Sequence, residues 1–219
     1  MARKNRENEF AVIGLGRFGV NLAQRLEEMG HPVLGIERDP QVAKEMESKL
    51  TEIFVLDATN PDALAEADIT AFKTVVVAIS DDFETNALVT SSLKDMGIPN
   101  IICLAESSRH QEILLRIGAN RVVIPAKESG IHLADELSTP GLLNGLSLSP
   151  DFSLIEIQTP KGMLGRKVSE CEKYEVALLL VVRGNELILS PDGELKLEQS
   201  DILVVVGDKT HLTEFSNLA

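Results

Sequence analysis

A glycine-rich turn between a short apolar run and an amphipathic stretch restricts the possible folds more than any other feature of the chain. Residues 10–13 are apolar, Gly14, Gly16 and Gly19 follow with the spacing G-x-G-x-x-G, and residues 18–29 carry apolar side chains at helical spacing. This order predicts a strand, a tight turn at Gly14 and a helix that packs closely on the strand at Gly19. Gly16 leaves room for a diphosphate, which the N–H groups at the start of the helix can hold. The alternative is a purely structural turn.

Five further apolar runs repeat the pattern along the first part of the chain. They cover residues 32–36, 53–56, 75–79, 101–104 and 122–124, with amphipathic stretches between them. Continuous apolar runs are typical of parallel strands that are covered on both faces. We therefore predict an α/β fold in which residues 1–137 form a Rossmann-like, doubly wound parallel sheet of six strands, with residues 131–137 as a last helix.

The composition changes after residue 137. Residues 138–150 are rich in glycine, proline and small polar residues, which predicts a linker or hinge. Residues 151–219 then offer four short strands, at 153–158, 176–182, 186–189 and 202–206, and an amphipathic end at 211–218. Gly184 and Asn185 predict a hairpin between the second and third of these strands. We expect a small α+β C-terminal domain.

Charge and composition exclude several classes of protein. Acidic residues outnumber basic ones 34 to 21, which argues against nucleic-acid binding. No stretch approaches the roughly 18 apolar residues needed to cross a bilayer, and residues 1–10 do not resemble a signal peptide, so we expect membrane contact only through a partner. Cys103 and Cys171 lack a nearby cysteine, which favours reduced, buried thiols in a cytoplasmic protein.

Polar residues follow three of the predicted strands. Glu37 ends the second strand, where a carboxylate can accept hydrogen bonds from a ribose diol and repel a 2′-phosphate, although Arg38 weakens that repulsion. The third and fourth strands are followed by Asp57-Ala58-Thr59 and by Ala78-Ile79-Ser80, at the edge where parallel sheets bind ligands. Turn capping is the alternative for both segments. Asp81, Asp82 and Glu84 favour the start of a helix over a metal site.

Motifs for catalysis are missing from the sequence. It contains no HExxH, no GxSxG and no Walker A pattern, and His31, His110, His132 and His211 are scattered. We therefore predict no enzyme activity and a nucleotide that acts as an effector. A small NAD-dependent oxidoreductase, or a nucleotide sensor for another kind of partner, stays open as an alternative.

Several segments resemble the regulatory RCK domain and the TrkA-C domain of the KtrA/TrkA potassium-uptake family. The RCK-like segments are residues 10–19, 57–59, 76–79 and 117–125, and the TrkA-C-like ones are residues 165–168, 182–184, 191, 200–201 and 204–207. The resemblance adds Arg17, as a phosphate ligand, and Phe18 to the candidate site. The predicted nucleotide-binding residues are then Gly14, Gly16, Arg17, Phe18, Gly19, Glu37, Arg38, Asp57, Ala58, Thr59, Ala78, Ile79 and Ser80.

The resemblance implies a cytoplasmic subunit that gates a membrane K⁺ transporter of the KtrB/TrkH type. Such subunits dimerise and assemble into rings, commonly octamers, whose shape depends on bound ATP, ADP or NAD(H). It also implies that residues 129–137 form a crossover arm and that the C-terminal domain can bind cyclic di-AMP, for which Arg183 and Pro191 are the nearest matches. The chain has Leu104 and Ala126 where KtrA-like members carry a lysine and a glutamate. This difference favours ADP, AMP or NAD over an ATP–metal complex.

Overall fold

The computed structural model describes residues 6–139, 141–149 and 151–218. Residues 1–5 and 219, together with Pro140 and Pro150 of the predicted linker, lie outside the described residues. The chain divides into two compact units, Met1–Glu128 and Ser129–Ala219. In the described part of the chain, no helix is both long enough and apolar enough to cross a bilayer.

The first unit contains a six-stranded parallel sheet with helices between the strands. The strands are β1 (Arg6–Ile13), β2 (Val33–Glu37), β3 (Glu52–Val55), β4 (Phe72–Val77), β5 (Asn100–Leu104) and β6 (Arg121–Val123). The helices are α1 (Arg17–Glu28), α2 (Pro40–Met46), α3 (Pro61–Glu66), α4 (Phe83–Asp95) and α5 (Ser108–Ile117). The strand order β3-β2-β1-β4-β5-β6 is that of a doubly wound Rossmann-like sheet, so the predicted fold class is confirmed.

Both faces of this sheet are buried, which explains its continuous apolar strands. Along β1, Ala11 and Ile13 pack into a cluster with α4 and α5, whereas Val12 points to the other face and packs with residues of α1 and α2. Polar side chains accept hydrogen bonds from backbone N–H groups at the starts of four helices, which reduces the cost of ending each helix. These capping residues are Asp39, Asn60, Asp82 and Ser107.

Val42, Met46 and Leu50 have the spacing of one helical face, but helix α2 is shorter than this spacing suggests. The helix ends at Met46. Leu50 lies in the turn that follows, and its amide donates a hydrogen bond to the Met46 carbonyl oxygen at 3.1 Å. Leu50 is nevertheless buried in the same core cluster, because its side chain packs against Gly35 of β2. The apolar spacing therefore extends beyond the helix because Leu50 is buried from the turn that follows it.

The second unit contains a five-stranded antiparallel sheet of order β10-β9-β11-β8-β7. Helix α6 (Pro125–Ser138) leads into it, and its elements are β7 (Leu142–Ser147), β8 (Phe152–Gln158), β9 (Val176–Arg183), β10 (Glu186–Leu189), β11 (Asp201–Asp208) and α7 (Lys209–Ser216). The hairpin at Gly184 and Asn185 joins β9 to β10, as predicted. The predicted linker, residues 138–150, includes strand β7, which the sequence had suggested would be irregular. The strand forms because β8 supplies an antiparallel partner for it.

Candidate functional site

A cavity of about 300 Å³ opens at the carboxyl ends of β1 to β4. Strand β1 lies between β2 and β4, and the chain connections run away from it in opposite directions, which leaves a crevice at this edge of a doubly wound sheet. The lining residues are Ile13, Gly14, Leu15, Gly16, Ile36, Glu37, Arg38, Asp39, Val42, Leu56, Asp57, Ala58, Ala78, Ile79, Asp81, Asp82 and Thr85. The cavity therefore lies where the sequence predicted a nucleotide.

Two of the three glycines in the motif, one in the loop after β1 and one in the first turn of α1, are required by the protein itself. Gly14 has φ +89°, and a Cβ there would lie 3.0 Å from Cγ1 of Ile79 and 3.2 Å from the carbonyl oxygen of Ala78. A Cβ on Gly19 would lie 2.0 Å from the Gly14 carbonyl oxygen. The turn and the contact between helix and strand thus have the causes that the sequence suggested.

Gly16 is different, because nothing in the described chain requires a glycine there. Its φ is −68°, which any residue adopts, and no atom of the described chain beyond its two chain neighbours lies within 4 Å of the position of a Cβ. The residue precedes α1, whose first turn contains no acidic residue and whose N-cap makes no side-chain hydrogen bond. The N–H groups in the first turn of a helix have no acceptor within that helix, so the open space beside the start of α1 is suited to an anionic ligand.

Glu37 fixes the glycine loop to the second strand. Its Oε2 accepts a hydrogen bond from the Leu15 amide at 2.7 Å, and its Oε1 accepts from the amides of Arg38 and Asp39 at 2.9 and 3.0 Å. A carboxylate offers about four lone pairs, so one acceptor position remains for a ligand hydroxyl. The sequence did not predict this loop-binding role, because the contact with Leu15 depends on the pairing of β1 with β2.

The polar part of the cavity is mostly acidic. The Thr59 amide and hydroxyl donate to Asp57 and hold the pKa of that carboxyl below its ordinary value. The Thr85 amide and hydroxyl lower the pKa of Asp82 in the same way. The positive charge of Arg38 adds to both shifts, so both aspartates stay ionised near neutral pH.

The structure brings together only part of the predicted site. Eight predicted residues line the cavity, namely Gly14, Gly16, Glu37, Arg38, Asp57, Ala58, Ala78 and Ile79. The other five, Arg17, Phe18, Gly19, Thr59 and Ser80, do not line it. Arg17 and Phe18 are exposed at the start of α1, Gly19 is buried in the first turn of that helix, and Thr59 supports Asp57. Seven lining residues were missed, namely Ile13, Leu15, Ile36, Asp39, Val42, Leu56 and Thr85, and two more, Asp81 and Asp82, had been interpreted as a helix start. Asp39 precedes Pro40 in a recognisable helix-start pattern.

One buried amide beneath the cavity was also missed. Asn86 lies on α4 and is 1% exposed. Its Nδ2 donates to the carbonyl oxygens of Ile79 and Leu104, and its Oδ1 accepts from the hydroxyl of Thr90. The only sequence signal was a polar residue on the buried face of a helix.

The predicted ligand residues of the second unit have other surroundings. Arg183 donates from Nε and Nη2 to the buried carboxylate of Asp201, each at 2.7 Å, and it also pairs with Glu198. Pro191 lies in the loop after β10. Neither residue lines the cavity of about 290 Å³ that this unit contains between α6, β7, β8 and α7. Their role in ligand binding stays a prediction.

Comparisons with known proteins agree with the two-unit architecture. The family model of the TrkA-N domain matches residues 10–125, and that of the TrkA-C domain matches residues 152–219. The Ktr system potassium uptake protein A of Bacillus subtilis is 32% identical over 215 residues, which cover 97% of each chain.

Two solved structures share the fold at lower identity. The GsuK RCK domain has a TM-score of 0.66 and 20% identity, and the match covers 97% of this chain and 47% of that one. The GsuK channel bound to NAD has a TM-score of 0.67 and 18% identity, with 97% and 39% covered. This chain thus spans less than half the length of either GsuK chain. On the family models and the near full-length relative, the chain belongs to the TrkA-N/TrkA-C family that includes the Ktr system potassium uptake proteins.

Proposed function

We propose that this protein is the regulatory subunit of a potassium-uptake system and that an adenine nucleotide binds its first unit as an effector. The similarity to Ktr system potassium uptake protein A over nearly the whole of both chains supports the potassium-uptake role. The observation that carries nucleotide binding is the open space at Gly16, a glycine that the described protein does not need for its own folding. A diphosphate at this place would explain the residue.

In this proposal, main-chain amides hold the phosphates. Arg38 is the only basic residue among the described residues that line the cavity, which also include Glu37 and four aspartates. The phosphates are therefore placed at the start of α1, where N–H groups and the helix dipole carry partial positive charge. The remaining acceptor position of Glu37 binds the ribose, and the segment 57–59 lies beside the adenosine. Arg17, Phe18 and Ser80 complete the predicted set, Arg17 by reaching phosphate.

An effector role is favoured over the alternative of a dehydrogenase. The ionisable groups that line the cavity, within the described chain, are Arg38 and five carboxylates, with no histidine, cysteine, lysine or tyrosine. The lowered pKa values of Asp57 and Asp82 keep both ionised near neutral pH. A proton donor for hydride-transfer chemistry needs a pKa close to the working pH, and the pKa values of Asp57 and Asp82 are shifted away from it.

The remaining parts of the proposal concern ligands and assembly. NAD is a candidate beside ADP and ATP because a GsuK channel of the same fold is bound to NAD. The chains form dimers that assemble into a ring, an octamer, at the cytoplasmic face of a KtrB- or TrkH-like pore subunit, and the second unit binds cyclic di-AMP. A nucleotide changes the shape of the ring only if its free energy of binding differs between the two shapes.

The test is a calorimetric titration of the full chain with ATP, ADP, AMP, NAD, NADH and cyclic di-AMP, with and without Mg²⁺. Light scattering on the same samples gives the oligomeric state. We expect binding of at least one adenine nucleotide without turnover, and a particle of several subunits. A monomer that binds none of the adenine nucleotides would refute the proposal.

A further inference from the structure

The sheet opens between β4 and β5 directly below the nucleotide cavity. The parallel ladder between these strands ends at the pair of Val77 and Cys103. After this pair the chain continues through Ala78 and Ile79, which line the cavity, whereas β5 ends at Leu104 beside β6. Carbonyl groups on the two separating segments need other hydrogen-bond donors, because a buried carbonyl without a partner costs free energy.

Asn86 supplies donors to both segments. One amide group donates to the carbonyl oxygen of Ile79 on the β4 side and to that of Leu104 on the β5 side, the latter at 3.0 Å. The amide oxygen accepts from Thr90 at 3.2 Å. Both N–H groups and the oxygen are therefore in use, and the side chain is 1% exposed. The amide replaces the ladder where the strands separate.

The segment that Asn86 holds is in contact with the glycine loop. The amide of Ala78 donates to the Ile13 carbonyl at 2.7 Å. The Cγ1 atom of Ile79 lies 3.0 Å from the position that a Cβ on Gly14 would take. A displacement of Ile79 would therefore change its contact with the turn at Gly14. The change would also alter the direction of the backbone amides between this turn and the start of α1.

We infer that Asn86 is a positioning residue of the nucleotide site: by joining the backbone after β4 to the end of β5, it holds the cavity wall at Ile79 against the phosphate-binding loop. The inference rests on the proposed nucleotide binding. Asn86 itself does not line the cavity, so it acts through Ile79 and not by touching the ligand. Because the glycine loop is proposed to hold the diphosphate, the effect is expected to be larger for ADP, which carries two phosphates, than for AMP, which carries one.

Two variants remove the donors of Asn86 and a third serves as a control. Asn86→Leu keeps the number and branching of side-chain heavy atoms, and Asn86→Asp keeps the shape, but both leave two carbonyl groups without N–H partners. The control, Thr90→Val, removes a buried hydroxyl that contacts Asn86 and Cys103 but keeps both donor bonds of Asn86. ADP and AMP are titrated into each full-length variant well below its melting temperature, so that loss of stability alone does not change the measured affinity.

We expect affinity for ADP to fall about tenfold in both Asn86 variants, in line with an unpaired buried acceptor, and affinity for AMP to fall less. The preference for ADP over AMP thus decreases. Thr90→Val keeps both affinities within about twofold, because the carbonyl groups of Ile79 and Leu104 retain their N–H donors from Asn86. If the folded Asn86 variants bind ADP as the wild type does, or if Thr90→Val is equally impaired, the inference is wrong while nucleotide binding stands. If the wild type itself binds no adenine nucleotide, the proposed function fails and the inference with it.

Discussion

Gly16→Ala should weaken nucleotide binding and leave stability unchanged, whereas Gly19→Ala, three residues along in the first turn of α1, should lower stability. At Gly16 the added methyl group enters open space and φ is −68°, so the backbone needs no change. Loss of a favourable N-cap residue costs about 0.5–1 kcal/mol, and the reduced freedom of the unfolded chain returns about 0.4–1 kcal/mol. The free energy of unfolding of Gly16→Ala should therefore stay within about 0.5 kcal/mol of wild type.

At Gly19 the same methyl group would lie 2.0 Å from the Gly14 carbonyl oxygen, whereas carbon and oxygen atoms rarely approach within about 3.2 Å. Helix α1 must then move by about 1 Å from the strand it packs on, and overpacking of this kind costs about 1–3 kcal/mol. Because the atom met at this distance belongs to the backbone, the cost lies in the upper part of this range, and the gain in helix propensity, about 1 kcal/mol, does not offset it. We expect the melting temperature of Gly19→Ala to fall by several degrees, at about 2–4 °C per kcal/mol.

The affinity for nucleotide should fall in Gly16→Ala, the variant that is expected to keep its stability. The methyl group of Gly16→Ala occupies the approach of the diphosphate, and a clash of about 1–3 kcal/mol corresponds to a five- to 150-fold weaker Kd for ADP. Differential scanning calorimetry measures the melting temperature, and isothermal titration calorimetry with ADP measures the affinity. A Gly16→Ala variant that binds ADP as tightly as wild type would refute the reasoning, as would a Gly19→Ala variant with unchanged stability.

Three further outcomes follow from the ionic contacts. Glu37→Ala should destabilise the protein by about 1–3 kcal/mol in urea denaturation, because the buried Leu15 amide loses its acceptor, and a wild-type midpoint would contradict this. Arg183→Met should cost about 3–5 kcal/mol in the same assay, because it leaves the buried Asp201 carboxylate without its bidentate partner; equal stability would contradict it. Burial raises the pKa of Asp201, but the Arg183 guanidinium and the Glu198 amide outweigh burial and keep it below its ordinary value. As the pH falls, the Asp201 carboxyl therefore binds its proton in the unfolded chain before it does so in the folded protein. The stability that ionised Asp201 contributes is complete above about pH 4 and is lost as the pH falls through the folded pKa. The loss should be shallower in Arg183→Met.

Local sequence patterns were sufficient for most of the fold. The six apolar runs of the first unit and the strands of the second lie within a few residues of their predicted positions, because strand burial on both faces produces a continuous run that is visible in the sequence. Strand β7 was missed because its composition, with two glycines beside it and within it, resembles a loop. Pairing with β8 decides its conformation, and pairing is a property of two segments and not of one.

Part of the predicted site lies together around one cavity, while its role in nucleotide binding stays a prediction. Gly14, Gly16 and Gly19 have the roles in turn, open space and close packing that their spacing indicated. Arg17 and Phe18, by contrast, lie outside the cavity that the described chain forms, at the exposed start of α1. The sequence alone cannot assign them a partner, because no local pattern specifies what faces an exposed side chain.

The amino-acid sequence by itself determined the two-unit α/β architecture and the location of the glycine turn beside the cavity, since hydrophobic periodicity and glycine spacing act over a few residues. Only the tertiary structure decided that Glu37 holds the Leu15 amide, that Asn86 joins the ends of β4 and β5, and that Arg183 pairs with Asp201. Each of these contacts joins residues that strand order brings together from separate segments. Their geometry follows from which strands are neighbours, and that depends on the packing of the whole unit.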